Sequence, residues 1–520
     1  MAVQSFFLFL LGSLFLISVQ SHSPDEYYSS VANLEYLLET ERSILTTIER
    51  YIRLSEEKIS FLKRQKEEME EEIKGASKDA ISFVSNPINA FLLIKRLMKD
   101  YKKIDDLMQL GLDIHLFESL SMQPTQTDYV GVVEGLVHLQ DTYKLKAEDL
   151  ARGEILGQVK SRPLASNECQ AIGVVMGQLK EHEYAIEWLR EALRRWSSEH
   201  HKPISKFEIL DFLSYSLAEN GQYEEALKYT NQLIKLDPSS EPSKNKKKII
   251  EDWLKHVEEN GPRAKPVKPF RGLYEPLCRG EHMRTPEAVA NLRCRFETTK
   301  SPFLRIAPFK MEEASLDPLI VIYHDVLSNK EIEKLIKLSK PLLRRSMVGE
   351  NGTKEVSKQR TSQNGWLDDT QYEFVKKISS RTVDMTGLDR KGYENLQVNN
   401  YGIGGCYFPH FDWTRPNGTE PVYKSLGLGN RIATLMYYLS DVEKGGATVF
   451  PQIGVGVFPK KGSAIFWYNL LPDGTGDERT LHGACPVLLG SKWVANKWIH
   501  EYHQEFRRPC DLQPNNANKS

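Results

Sequence analysis

Six cysteines in 520 residues are too few for a scaffold built on disulfides. Charge of neither sign prevails: 69 Lys and Arg face 70 Asp and Glu, a net charge of -1. No global field therefore points to nucleic acid. Beyond the first residues no apolar run reaches the roughly 20 residues a membrane span requires. What remains is an ordinary globular composition, 27% charged and 40% hydrophobic. The length calls for several domains.

The first residues stand apart. "FFLFLLGSLFLISV" precedes Gln20 and Ser21, and "HSPDEYY" follows. The pattern predicts a secretory signal peptide over residues 1–21, with an uncleaved anchor as the alternative. Either way the rest of the chain would enter the secretory lumen, where disulfides form. Spacing predicts the pairs Cys278–Cys294, closing a short loop, and Cys485–Cys510, bracketing the final segment. Cys169 and Cys406 are left outside these pairs, as free thiols. Asn351 and Asn417 each open an Asn-Gly-Thr sequon, so both are glycan candidates.

The remainder divides into blocks. From Leu34 to Ile73 apolar residues recur at 3–4 spacing (Leu38, Leu45, Ile48, Ile52, Ile59, Leu62, Met69), interrupted at Glu41, Ser55 and Lys66. Such a heptad pattern predicts a coiled coil and self-association. A long amphipathic helix packed in its own domain is the alternative. A helical dimerisation domain is thus expected over 22–124. In "FEILDFLSYSLAENGQYEEALKYTNQLIKLDP", Gly221 marks a turn between two helices and Pro238 closes the second. This is one tetratricopeptide-like unit, and "CQAIGVVMGQLKEHEYAIEWLREALRRW" is a preceding one. A repeat domain over 125–255 would present a concave, peptide-binding face, with Asp211, Phe212 and Tyr215 as lining candidates. Residues 256–317 read as a linker. From 318 to 510 short β-type segments with Gly and Pro turns predict a sandwich or barrel, and 511–520 a tail.

That last domain carries the chemistry. In "YGIGGCYFPHFDW" (401–413) a strand would place His410 and Asp412 on one face. His482, in "RTLHGACPV", is the candidate third ligand. Two histidines and a carboxylate on one side of a metal are the facial arrangement of non-haem Fe(II) oxygenases. In "SKWVANKWIHEY", Lys492, Val494, Asn496, Trp498 and His500 share a face with no acid. A buried ammonium there needs an anion, which makes Lys492 the candidate for a cosubstrate carboxylate. Lys497, on the opposite face, is expected to meet solvent.

With "RIATLMYYLSDVEKGGATVF" and "LHGACPVLLGSKWVANKWIHEYHQEFRRPC" added, these segments resemble the catalytic domain of collagen prolyl 4-hydroxylase α subunits, and the resemblance runs over nearly the whole chain. It implies an all-α N-terminal half, coiled-coil helices then tetratricopeptide-like repeats, followed by an α+β double-stranded β-helix, or jelly-roll, oxygenase. It implies His410, Asp412 and His482 as iron ligands and Lys492 for the 2-oxoglutarate C5 carboxylate. His500 would assist 2-oxoglutarate turnover, with Tyr401, Thr434 and Trp498 lining the site and Arg431 near the peptide. Fe(II), 2-oxoglutarate and L-ascorbate are the implied cofactors. Procollagen or another proline-rich chain is the implied substrate. The implied partner is protein disulfide isomerase, in an α2β2 heterotetramer of the endoplasmic reticulum lumen. The terminal "NNANKS" is not a Lys-Asp-Glu-Leu-type signal, so residence in the lumen is expected to rest on that partner. Three departures bear on substrate preference: Cys406 in the glycine loop, Ala218 where a groove tyrosine is common, and "SSEPSKNKKKII" in place of an Arg and a Tyr.

Overall fold

The computed structural model describes residues 31–76, 79–109, 126–261, 272–350, 353–356, 361–402, 404–414 and 427–511. The expected signal peptide and the sequons at Asn351 and Asn417 lie outside the described residues. The chain forms two units. The first is dominated by one helix, α1 (Val31–Ala76), 46 residues long. Its heptad residues Leu45, Ile48, Ile52, Ile59 and Ile73 are all exposed. Isolated helices draw little stability from propensity alone, so this stripe is suited to a partner helix.

In the second unit a one-turn helix (Ala80–Val84) leads into helix α2 (Pro87–Lys95). Asn86 caps it, accepting from the backbone amides of Ile88 and Asn89, and proline takes the first turn, where no amide bond is lost. Helix α3 (Gln126–Tyr143) follows. Two antiparallel helix pairs come next: α4 (Ser166–Gln178) with α5 (His182–Ser198), and α6 (Lys206–Glu219) with α7 (Tyr223–Leu236). Helix α8 (Glu241–Asn260) packs on the second pair. "EHHKPIS" (199–205) is the loop between the pairs, as its Pro and His content suggests. The repeats therefore begin at 166. Residues 126–143, assigned to the repeat domain from sequence, form a separate supporting helix.

The C-terminal part is a two-sheet sandwich. Strands β1 (Cys294–Glu297), β2 (Phe309–Leu316), β3 (Leu319–His324), β4 (Arg344–Arg345), β5 (Ser362–Leu367), β6 (Leu396–Tyr401), β8 (Arg431–Tyr438), β11 (Ala464–Tyr468) and β13 (Lys492–His500) form the large sheet. Its order is β1-β2-β3-β11-β8-β13-β6-β5-β4. The small sheet is β7 (Tyr407–His410), β12 (His482–Ala484), β9 (Thr448–Phe450) and β10 (Val455–Val457), in that order. All of these pairings are antiparallel. Strands β1 and β2 fall inside the stretch expected as linker, so the sheet starts about two dozen residues before 318.

Alternation decides what each sheet face meets. Ala433, Leu435, Tyr437, Ala495 and Ile499 face helices α10 (Asn329–Ser339) and α11 (Glu373–Thr386) and make one core with Ile332, Leu335, Val375 and Ile378. Met436, Tyr438, Trp467 and Val494 project the other way and pack with Phe450, Val455 and Ala484 of the small sheet. The second face is the barrel interior.

Candidate metal centre

His410 and His482 are direct cross-strand partners on β7 and β12. Strand β7 is at the edge of the small sheet, the position that tolerates Pro409 and its missing amide. The strand stops at His410, and Asp412 follows in a bend rather than continuing the strand. Its carboxylate still reaches the site: Oδ1 lies 3.8 Å from His410 Nε2 and Oδ2 lies 3.6 Å from His482 Nε2. One ligand atom from each residue falls within 4.8 Å of the others. Among the described residues no other such His, Cys, Asp or Glu group occurs.

The surroundings prepare those atoms for a cation. His410 Nδ1 donates to the Phe408 carbonyl at 2.9 Å, and His482 Nδ1 to the Thr480 carbonyl at 3.0 Å. Each bond fixes the tautomer that leaves Nε2 as a lone-pair donor. Asp412 Oδ2 accepts the Thr434 hydroxyl at 2.7 Å, and Thr434 Oγ1 accepts from Asn469 Nδ2 at 2.9 Å. Burial alone would raise the Asp412 carboxyl. His482, His410, Arg431 and the Thr434 bond outweigh it and hold the group down at about 2. Tyr407 stacks on His410 with ring centroids 3.5 Å apart, and Trp467 and Phe450 stand 4.7 and 5.7 Å from His482.

Register brings the rest of the expected site to the same interior. Lys492 lies opposite Tyr401, and Trp498 opposite Thr434. Lys492 is 1% exposed, and its Nζ has no hydrogen-bond partner among the described residues; the Tyr401 ring centroid is 5.0 Å away. Burial pushes its ammonium down to about 7, against a smaller upward pull from Cys406. Nearby Asn496 Oδ1 and Trp498 Nε1 are likewise buried without a bond. An interior with a bare ammonium, a bare indole N–H and three prepared metal donors fits Fe(II) beside an anionic chelator.

Other assignments change. Lys497 is not solvent-facing but fully buried, with Nζ 3.0 Å from Asp369 Oδ1 and 2.9 Å from the Glu394 carbonyl. Alternation put it on the right face, but that face is covered by helices. Glu394 was missed altogether. Its carboxylate takes Arg431 Nε at 2.6 Å and Nη2 at 3.0 Å, and His500 Nε2 at 2.8 Å. Arg431 also lies over the Trp498 ring at 3.8 Å. Arg431 and His500 are therefore tied together by an acid 37 residues away in sequence from Arg431, and only the fold shows it. The disulfide is Cys278–Cys485, not Cys278–Cys294, and no Cys485–Cys510 bond forms. Helix α9 (Tyr274–Cys278) seats Cys278 against Cys485 in a buried cluster, whereas Cys294 and Cys510 are exposed. Cys169 and Cys406 are buried and outside any disulfide.

On the helical repeats Tyr215 is 45% exposed, edge-on to His182, while Phe212 packs against the core. Asp211 is bound by Lys246 of α8, Nζ to Oδ1 at 2.5 Å. Ala218 is buried.

Family comparisons agree with this architecture. A model of the prolyl 4-hydroxylase α-subunit N-terminal region matches residues 30–157. One of the prolyl 4-hydroxylase peptide-substrate-binding domain matches 166–256, and one of the 2OG-Fe(II) oxygenase superfamily matches 396–500. Human prolyl 4-hydroxylase subunit α-1 is 37% identical over 518 residues, covering 95% of this chain and 97% of that protein. Chicken subunit α-2 is 38% identical over 515 residues, covering 94% and 96%. Caenorhabditis elegans subunit α-2 is 37% identical over 507, covering 94% of each. The chain belongs to the prolyl 4-hydroxylase α-subunit family.

Proposed function

We propose that this chain is the catalytic subunit of a procollagen-proline 4-dioxygenase, hydroxylating proline in X-Pro-Gly sequences with Fe(II), dioxygen and 2-oxoglutarate. The observation that carries the reading is the His410–Asp412–His482 group, its carboxylate and second histidine buried, sharing one barrel interior with the unbonded ammonium of Lys492. Bound Fe(II) and 2-oxoglutarate supply oxygen activation, the cosubstrate ending as succinate and carbon dioxide. The protein supplies position and exclusion. His410, Asp412 and His482 would hold the metal on one side, leaving the others open. Lys492 would anchor the far carboxylate of 2-oxoglutarate. Tyr407 packs on the His410 ring, and Phe450 and Trp467 on that of His482; these aromatic faces would limit water at the oxidising centre. Ascorbate would restore iron after uncoupled turnover. Incubating Pro-Pro-Gly peptides with the chain, iron, 2-oxoglutarate and ascorbate should give 4-hydroxyproline by mass spectrometry with fragment assignment. An unmodified peptide would overturn the reading, and hydroxyl at another carbon would correct the position of attack.

The repeats would bind the proline-rich chain, and the exposed heptads of α1 would join two catalytic chains. A protein disulfide isomerase would complete an α2β2 assembly in the endoplasmic reticulum lumen. Cells depleted of the isomerase should secrete or aggregate the chain; a soluble, retained and active product there would remove the partner from the scheme. The Asp211–Lys246 pair and buried Ala218 favour a second reading, a proline-rich substrate other than collagen. A peptide panel comparing Pro-Pro-Gly repeats with glycine-free proline-rich sequences distinguishes the two.

A further inference from the structure

We propose that helix α3, far outside the matched oxygenase region, is a wall of the iron site, with His138 and Tyr143 as positioning residues. The inference rests on the iron reading above. Gly135, His138, Thr142 and Tyr143 fall at i, i+3, i+7 and i+8, one face of a helix. Each meets the segments that carry the two histidines or helix α9, which braces them.

Gly404 has φ +59, and a Cβ there would lie 2.4 Å from the Gly135 carbonyl oxygen. The helix and the glycine loop thus touch backbone to backbone, six residues before His410. His138 sits edge-on to Phe408 with ring centroids 5.9 Å apart. The Phe408 carbonyl is the group that accepts His410 Nδ1–H. Tyr143 donates its hydroxyl to the Pro486 carbonyl at 2.6 Å, just past the strand that begins with His482. Helix α9 braces the same place: Tyr274 donates to the Ala484 carbonyl at 2.9 Å, and Arg279, just after α9, donates to the Thr142 carbonyl at 2.9 Å. A Cβ on Gly483 would meet the Tyr274 ring at 3.0 Å, so the brace also needs that glycine.

The small sheet requires such support. Strands β9, β10 and β12 have three residues each, and β7 is an edge strand with a proline. Few ladder bonds hold the two histidines in register. The opposite side of α3 faces the repeats: Trp188 Nε1 donates to Gln140 Oε1 at 2.7 Å, and the Tyr184 hydroxyl to Asp141 Oδ1 at 2.6 Å. One rigid helix therefore sets the peptide-binding repeats and the iron-bearing strands in fixed relation.

The test uses the full chain with Tyr143→Phe or His138→Ala, and His138→Phe as the conservative rescue. Under anaerobic conditions Fe(II) and 2-oxoglutarate are titrated by the visible charge-transfer absorption of their complex. Loss of one hydrogen bond or ring contact should weaken uptake about three- to tenfold. His138→Phe should recover most of the loss, and affinity of the repeats for poly-L-proline should not change. Unchanged titrations in both folded variants would overturn the proposal. A wild-type chain that takes up neither ligand would instead overturn the iron reading. Should the variants fail to fold, hydrogen exchange on the wild type decides. Adding Fe(II) and 2-oxoglutarate should protect amides of 126–143 together with those of 404–410 and 482–488. Protection confined to the strands would refute the role of the helix.

Discussion

Replacing Lys492 with methionine separates binding from folding. The ammonium is almost wholly buried with no hydrogen-bond partner among the described residues, and burial lowers its pKa to about 7. The unfolded value is about 10.4. Because the folded value is the lower one, the group costs stability: in full below about pH 7, and less as pH rises toward 10. Methionine has nearly the same length as lysine and no charge to bury. The cosubstrate-free Lys492→Met variant should therefore melt above the wild type at pH 7, with the difference shrinking by pH 9. Binding should go the other way. A hydrogen bond to a charged group contributes about 1.5–3 kcal/mol, so 2-oxoglutarate affinity should fall roughly ten- to a hundredfold. The pH dependence adds a second signature. In the empty wild-type site the ammonium fraction declines through about pH 7. Affinity should accordingly weaken above neutrality, up to tenfold per pH unit, until the carboxylate itself holds the proton on. The variant should show no such slope. Anaerobic titrations and thermal melts with and without 2-oxoglutarate, from pH 6 to 9, read both effects. A variant that binds 2-oxoglutarate like the wild type would show that another cation anchors the acid.

Alanine at His410, Asp412 or His482 should abolish turnover and Fe(II) uptake while circular dichroism stays unchanged; a fully active variant would remove that residue from the metal shell. Glu394→Gln leaves Arg431 and His500 buried without their carboxylate, and should lower stability by about 3–5 kcal/mol in denaturant melts; a loss under about 0.5 kcal/mol would show that the pair is not a stabilising network. Cys278→Ser should cost about 2–5 kcal/mol, and non-reducing peptide maps should link Cys278 to Cys485; a Cys278–Cys294 peptide would overturn that pairing. Tyr215→Ala in the full chain should weaken binding of a proline-rich peptide severalfold by calorimetry, whereas equal affinity would make Tyr215 a bystander.

What the sequence disclosed was periodic or local. The heptads of α1, the helix pair around the turn at Gly221 and the short β-type segments between 318 and 510 repeat at 3.5, 3.6 or 2 residues, so each is visible in a short window. His410 and Asp412 sit two apart and were found in the same way. The remainder depended on contacts between distant segments. Glu394 is ordinary in its own window and acquires meaning only beside Arg431 and His500. Cysteine spacing suggested short loops, yet the bond joins residues 207 apart, because α9 folds over the end of β12. Phe309–Leu316 fell inside the expected linker, and its sequence "FKMEEASL" carries no regular apolar alternation; the structure pairs it with β3 across a register shift between Glu313 and Ser315.

Two lysines of one strand show where that boundary lies. Lys492 and Lys497 are five residues apart on β13, so they project from opposite faces, and alternation alone says so. It does not say which face is dry. Both faces are dry, one filled by helices α10 and α11 and the other by the small sheet. Burial therefore gives no basis for telling the two apart; partners do. Lys497 meets Asp369 and the Glu394 carbonyl, and burial depresses its pKa despite them. Its charge is already answered by the protein, so it acts as a tie between strand and loop. Lys492 meets no acceptor, in an interior that also holds bare donors and three prepared metal ligands. A fold that buries a cation without an acceptor bears a standing cost, and here that cost marks the place where a carboxylate from outside the chain belongs.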